Sequence, residues 1–103
     1  MTYLDDLAQL LRDCVEPALV PADADDLFRF YAVLLRAKGS DVTADDVHDA
    51  WSAWMQQRDP AHPSIVPFED LTEEVRLSDE PYVEAIRAVA LRLGLSPRPA
   101  PKP

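Results

Sequence analysis

The residue types with the most chemistry in them gather between positions 45 and 62. Asp45, Asp46, His48 and Asp49 fall within about a turn and a half of helix. Positions 45, 48 and 49 share one helical face, an arrangement a divalent cation could use. Such a site draws further ligands from elsewhere, yet the only other histidine is His62, in a proline-rich stretch. Acids in a first helical turn also complement the helix dipole without any ion. The cluster therefore reads as a solvated helix start, and no metal ligand is assigned. Trp51 and Trp54 follow on the same segment. Indole offers a flat face for stacking and one N–H donor, and their place in an apolar stripe assigns them to the core, with a ring edge left open to a groove. Arg58, one turn beyond Trp54, suits either a phosphate or a surface ion pair with Asp59. His62, just before Pro63, suits a ligand hydrogen bond or one that fixes its own loop.

Nothing points to a catalytic nucleophile. Cys14 falls on or beside the apolar stripe of the first predicted helix and reads as a buried, inert thiol. Ser40, Ser52, Ser64, Ser78 and Ser96 sit in no nucleophile elbow. His48-Asp49 matches the HD pair of metal phosphohydrolases, but the additional histidines of that chemistry are missing. Carboxylates are too plentiful for sequence proximity to single out an acid–base pair, so no enzyme is expected.

The composition narrows the classes further. A chain of 103 residues, 48% hydrophobic and 28% charged, suits one domain with its own core. Nineteen acids against ten Lys plus Arg give a net charge of −9, which disfavours duplex nucleic acid. One cysteine can form no internal disulfide and suggests a reducing, cytoplasmic setting. No apolar run approaches the roughly 20 residues that span a bilayer, and the first six residues carry two acids where a secretory leader carries bases. Gly39 and Gly94 are the only glycines, so no phosphate-cradling loop is available.

Ten prolines mark the joints between the elements that must position these side chains. Leu4, Leu7, Ala8, Leu11 and Val15 recur at helical spacing between Met1 and Pro17. Asp23, Asp25 and Asp26 precede a second helix that runs to about Lys38. Its residues Leu27, Phe28, Phe30, Tyr31, Val33, Leu34 and Leu35 cover most of its circumference, as in a helix that is central or pairs with another chain. Lys38-Gly39 is a stop signal, and Thr43 with Asp46 resembles a capping box that opens a third helix near Ala44. Val47, Ala50, Trp51, Trp54 and Met55 form its stripe, and Arg58 and Pro60 end it. Residues 59–67 are expected to be an irregular or briefly extended loop, and Phe68 to Val75 a short helix. A last helix starts at Ser78-Asp79-Glu80-Pro81, carries Val83, Ile86, Val89, Ala90 and Leu93, and stops at Gly94. Residues 96–103 read as a flexible proline-rich tail.

Val47-His48-Asp49-Ala50-Trp51, then His62-Pro63-Ser64-Ile65-Val66-Pro67-Phe68-Glu69-Asp70-Leu71, Glu73-Glu74 and the closing Leu93-Gly94, resembles the RyR domain. That family is named after the repeats of ryanodine-receptor calcium channels, and free-standing forms occur in bacteria and phages beside nucleotide-signalling and defence systems. The likeness runs from Val47 to Gly94. The loop between Trp54 and His62 is shorter than in the channel repeats and lacks their aromatic-rich stretch. The resemblance implies that Trp51 stacks an adenine-type ligand, an interaction worth about 1 to 3 kcal/mol. It leaves Arg58, Arg87 or Arg92 to meet any phosphate, and the charge of −9 favours a nucleoside, monophosphate or cyclic nucleotide over a polyphosphate.

The expectation is thus a mostly α, small single-domain fold of four to five helices over residues 1–95. An N-terminal helical extension, 1–42, would precede a RyR-like core, 43–95, with an irregular proline-rich loop. Its expected function is recognition, without catalysis or cofactor, of a small nucleotide-derived ligand in a groove walled by Trp51, Trp54, Arg58, His62 and Tyr82. The competing expectation is an acidic adaptor that docks a partner protein or pairs with a second copy through an apolar face, the second helix foremost. A third, an acidic mimic of nucleic acid, has only the net charge in its favour.

Overall fold

The computed structural model describes residues 2–95; the proline-rich tail at 96–103 lies outside the described residues. Five helices follow one another: α1 (Tyr3–Asp13), α2 (Asp25–Lys38), α3 (Ala44–Arg58), α4 (Glu73–Leu77) and α5 (Glu80–Leu93). Single 3₁₀ turns occupy Pro17–Leu19, Gly39–Asp41 and Phe68–Asp70. No strand occurs among the described residues, so the fold is mostly helical, as the periodicity predicts.

The boundaries have local causes. Thr2 and Asp5 form a reciprocal capping box at the start of α1, and Thr43 and Asp46 form another at the start of α3. Each satisfies amide donors that the first turn of a helix leaves unpaired. Gly94 ends α5 with φ at 64°, a left-handed conformation that costs a residue bearing a Cβ about 1 kcal/mol or more. The expected helix over Phe68–Val75 is instead split. Thr72 accepts a hydrogen bond from the Val75 amide and starts α4 late, while Phe68–Asp70 stays a 3₁₀ turn. Arg76 ties the two pieces, donating to the carbonyls of Phe68 at 3.1 Å and Glu69 at 2.5 Å. Cys14 also departs from expectation. It is the C-terminal cap of α1, where the chain turns off the buried stripe, and it is exposed.

α2 is the central helix. Leu27, Phe28, Tyr31, Ala32 and Leu35 are buried on it, against Ala8 and Leu11 of α1, Val47 and Trp54 of α3, and Val83, Ile86 and Val89 of α5. Each such aliphatic side chain contributes roughly 1.5 to 3 kcal/mol by leaving water. Val33 remains exposed, and Phe30 and Leu34 are half-buried against the core. A single buried cluster reaches from Ala8 to Ala90 and takes residues from both sides of position 42. Val42 itself is fully buried, and its carbonyl accepts two hydrogen bonds from the Arg87 guanidinium, at 3.1 and 2.8 Å, which fastens the α2–α3 turn to α5.

Candidate functional site

The capping box that starts α3 sets the phase of that helix, and with it His48 and Trp51 on one face, three residues apart. His48 is 2% exposed, and its Nε2 lies 2.7 Å from the Val66 carbonyl oxygen. A carbonyl can only accept, so Nε2 carries the hydrogen. This bond pins the 59–67 loop to α3. The His48 ring stacks on Trp51 with centroids 5.6 Å apart, and the His62 ring meets the Trp51 ring edge-on at 5.1 Å. The Nδ1 of His62 accepts from the Ser64 amide at 3.1 Å, so the loop's own backbone holds this ring.

Across from Trp51, α2 supplies Tyr31 and α5 supplies Asp79 and Tyr82. The two tyrosine rings lie 5.4 Å apart, and the Tyr82 hydroxyl donates to the Leu19 carbonyl, which draws the 3₁₀ turn at Pro17–Leu19 over the site. These elements enclose a cavity of about 450 Å³ lined by Tyr31, His48, Trp51, Asp79 and Tyr82 together with apolar Leu19, Pro21, Leu27 and Val75. That volume lies within the range of small-molecule sites. No lysine or arginine is among the lining residues.

Asp79 is the unusual member. It stands at the N-cap of α5, yet its side chain makes no capping bond. The backbone there is helical, φ −83° and ψ −17°, and Pro81 takes away one of the amides that a capping carboxylate normally reaches. The residue is only 8% exposed, and its Oδ2 is buried with no hydrogen-bond partner. Burial pushes the carboxyl up to about 6, against an opposing pull from His48 and with a further push from the Glu80 charge. Burial also raises the Tyr31 hydroxyl far above its ordinary value, reinforced by Tyr82 and Asp79. Tyr82 is raised too, by burial and then by Asp79. Both phenols therefore keep their protons at neutral pH; Tyr82 gives its hydrogen to the Leu19 carbonyl, and Tyr31 keeps an O–H donor.

Of the residues expected to wall a groove, Trp51 and Tyr82 line this cavity, and His62 touches Trp51 at its edge. Trp54 and Arg58 are elsewhere. Trp54 is 3% exposed in the core, its Nε1 buried and unpaired. The Arg58 guanidinium lies over that ring, 4.4 Å from the centroid, and Nη2 donates to the Asp23 carbonyl at 2.6 Å. Arg58 thus holds the entry to α2 and is not among the residues that line this cavity. Arg87, another expected phosphate partner, is engaged by Val42. The acids at 45, 46 and 49 do not assemble with His48, whose Nε2 bonds the loop. Among the described residues no three His, Cys, Asp or Glu side chains are grouped so as to hold a metal ion. Tyr31, His48 and Asp79 are among the lining residues that the sequence did not single out as walls. The signal for Asp79 was Asp-Glu-Pro itself, an N-cap acid followed by a residue without an N–H.

Fold and site together define an all-helical domain, with a cavity walled by aromatic rings and one unpaired acid. The chain belongs to a family described as a domain of unknown function (DUF7701), whose model matches residues 2–91. No curated protein and no solved structure matches it. The resemblance to the RyR domain is thereby corrected, because the family match covers both halves of the chain and is to a different family. The short motifs behind that resemblance have local duties in this fold. His48 bonds the Val66 carbonyl, His62 bonds the Ser64 amide and Phe68 packs under Arg76, as a helix–loop–helix joint requires. No described helix is long and apolar enough to cross a membrane.

Proposed function

We propose that the chain is a small-molecule recognition module, acting by binding alone, whose cavity takes a planar ligand beside Trp51 and Tyr82. The observation that carries this reading is the conjunction of a cavity of about 450 Å³ with aromatic walls and, in its lining, an aspartate whose Oδ2 is buried without a partner. A buried acceptor without a partner is unfavourable by about 1 to 3 kcal/mol or more for a charged group, so its presence in a cavity wall is what a ligand's donor would offset. Among nucleotide-derived compounds, the lining suits the base or nucleoside. A phosphate would meet no lysine or arginine in the cavity of a chain whose net charge is −9. The adaptor reading receives less support, because most of the apolar residues of α2 are taken by the chain's own core.

The test is a titration with adenine, adenosine, adenosine monophosphate and indole, followed by amide NMR shifts and tryptophan fluorescence and repeated in Trp51→Phe. The expected result is a saturable response confined to the residues that line the cavity, with adenosine favoured over its monophosphate and the quenching lost in the variant. No saturable response at those residues from any of the four compounds would refute the proposal.

A further inference from the structure

Resting on that reading, we infer that the cavity selects a flat organic cation bearing N–H donors, an aryl amidine or protonated aminoheterocycle, held by the Asp79 carboxylate and stacked beside Trp51. Several features converge on this class. Asp79 lines the cavity, is 8% exposed, and keeps one oxygen buried without a partner. It is not spent on its own helix, since α5 begins without a side-chain cap. No lysine or arginine lines the cavity to pair with it, and His48, although it attracts the carboxylate, gives its Nε2 hydrogen to the Val66 carbonyl. Finally, the rings of Tyr31, Trp51 and Tyr82 line the same space, and aromatic faces attract cations through their quadrupoles.

The opposite charge fits poorly. A carboxylate ligand would face Asp79 with Glu80 adjacent in sequence, on a chain of net charge −9, with only phenols and one imidazole to answer it. A neutral amide can donate to Asp79, but it makes a weaker hydrogen bond than a charged donor does. The order expected from the lining is therefore cation over neutral over anion, at constant shape.

Benzamidine, benzamide and benzoate share one outline and differ in charge, so they separate the two levels of the argument on the unaltered protein. Binding is read from amide NMR shifts at the cavity residues, with Asp79→Asn measured alongside and its fold checked by circular dichroism. Benzamidine binding at least about fivefold tighter than benzamide, with no response to benzoate, supports the inference, as does loss of that preference in a folded Asp79→Asn. Equal affinity for benzamidine and benzamide would overturn the cation selectivity while leaving the cavity a binding site. Preference for benzoate would overturn it outright. Silence from all three at millimolar concentration would overturn the inference, and silence from the planar probes above would overturn the recognition module.

Discussion

Replacing Asp79 with asparagine should stabilise the protein in a pH-dependent way. The folded carboxyl is held up at about 6 against an ordinary 3.8, chiefly because burial disfavours its charge. Below about pH 4 both the folded and unfolded chains hold this proton, and the group is neutral to stability. Between about pH 4 and 6 the unfolded chain has released the proton while the folded chain retains it, so folding takes up a proton and stability falls as pH rises. Above about pH 6 the loss is complete. A shift of about two units corresponds to at most about 3 kcal/mol; with the carboxyl beside a cavity that admits water, about 2 kcal/mol is the working figure. The charged or titratable groups around it are His48 on α3, Tyr31 on α2, and Tyr82 and Glu80 on α5, all of which the variant keeps. Asparagine introduces its own buried amide, but that contribution does not change with pH. The quantity to measure is therefore the difference in unfolding free energy between variant and wild type, from urea titrations at pH 4, 5, 6, 7 and 8. It should grow in favour of the variant by about 2 kcal/mol between pH 4 and 7, which for a domain of this size is on the order of 10 °C in Tm. The Asp5 carboxyl, lowered to about 2 by hydrogen bonds from Arg29 and Thr2, loses its contribution only as pH falls through that value, in both proteins alike. Parallel stability curves for variant and wild type would show that Asp79 is solvated or paired in solution, and the case for an unsatisfied acid would fall.

Other perturbations test the frame that holds the cavity. Asp23 sits at φ 55° without being glycine, and Asp23→Gly should stabilise by about 0.5 to 1 kcal/mol in urea unfolding, since Arg58 bonds its backbone oxygen and keeps that contact. Arg58→Ala should destabilise by about 1 to 2 kcal/mol through loss of both the Trp54 face and the Asp23 carbonyl, with no change in the response of cavity residues to indole. Thr43→Ala removes one half of the α3 capping box and should lower stability by about 1 kcal/mol while amide exchange quickens in the first turn of that helix.

Much of this fold is legible in the residues. The α2 and α3 boundaries follow from the acids at the helix start, Lys38-Gly39 at its end, and Thr43 with Asp46, because caps and stops are local interactions within a few residues. The stripe on α5 is equally plain through Val83, Ile86, Val89 and Ala90, which are buried, whereas Leu93, expected to continue it, is exposed in the last turn. Local rules fail where tertiary contacts decide. Phe68–Val75 has helical composition, yet Thr72 caps a later start and Arg76 holds the preceding turn out of the helix. His48 looks like a member of an acidic surface cluster, and only the distant Val66 carbonyl explains its burial. Of the site, Trp51 and Tyr82 could be reached from the helical stripe and the closing helix. Tyr31 could not, because a tyrosine inside an apolar face gives no sign of whether its ring ends in packing or in a cavity wall.

Among the described residues two buried side-chain polar atoms lack partners, and the contrast between them bears on function. The Trp54 Nε1 belongs to a ring packed in the core and covered by the Arg58 guanidinium, away from the cavity lining. A neutral indole N–H in that position is a tolerable loss, on the order of 1 to 3 kcal/mol, set against the large apolar area the ring removes from water. Asp79 brings no such area. Its carboxylate is small, its burial raises its own proton affinity, and its helix would be better capped by the usual side-chain bond. Nothing in the packing of α5 requires an acid at that position, since Asp79 makes no side-chain hydrogen bond to any other element. An unfavourable group in a cavity wall, beside three aromatic rings, is the kind of local loss of stability that a bound ligand would offset, and it is on this ground that the proposed recognition site rests.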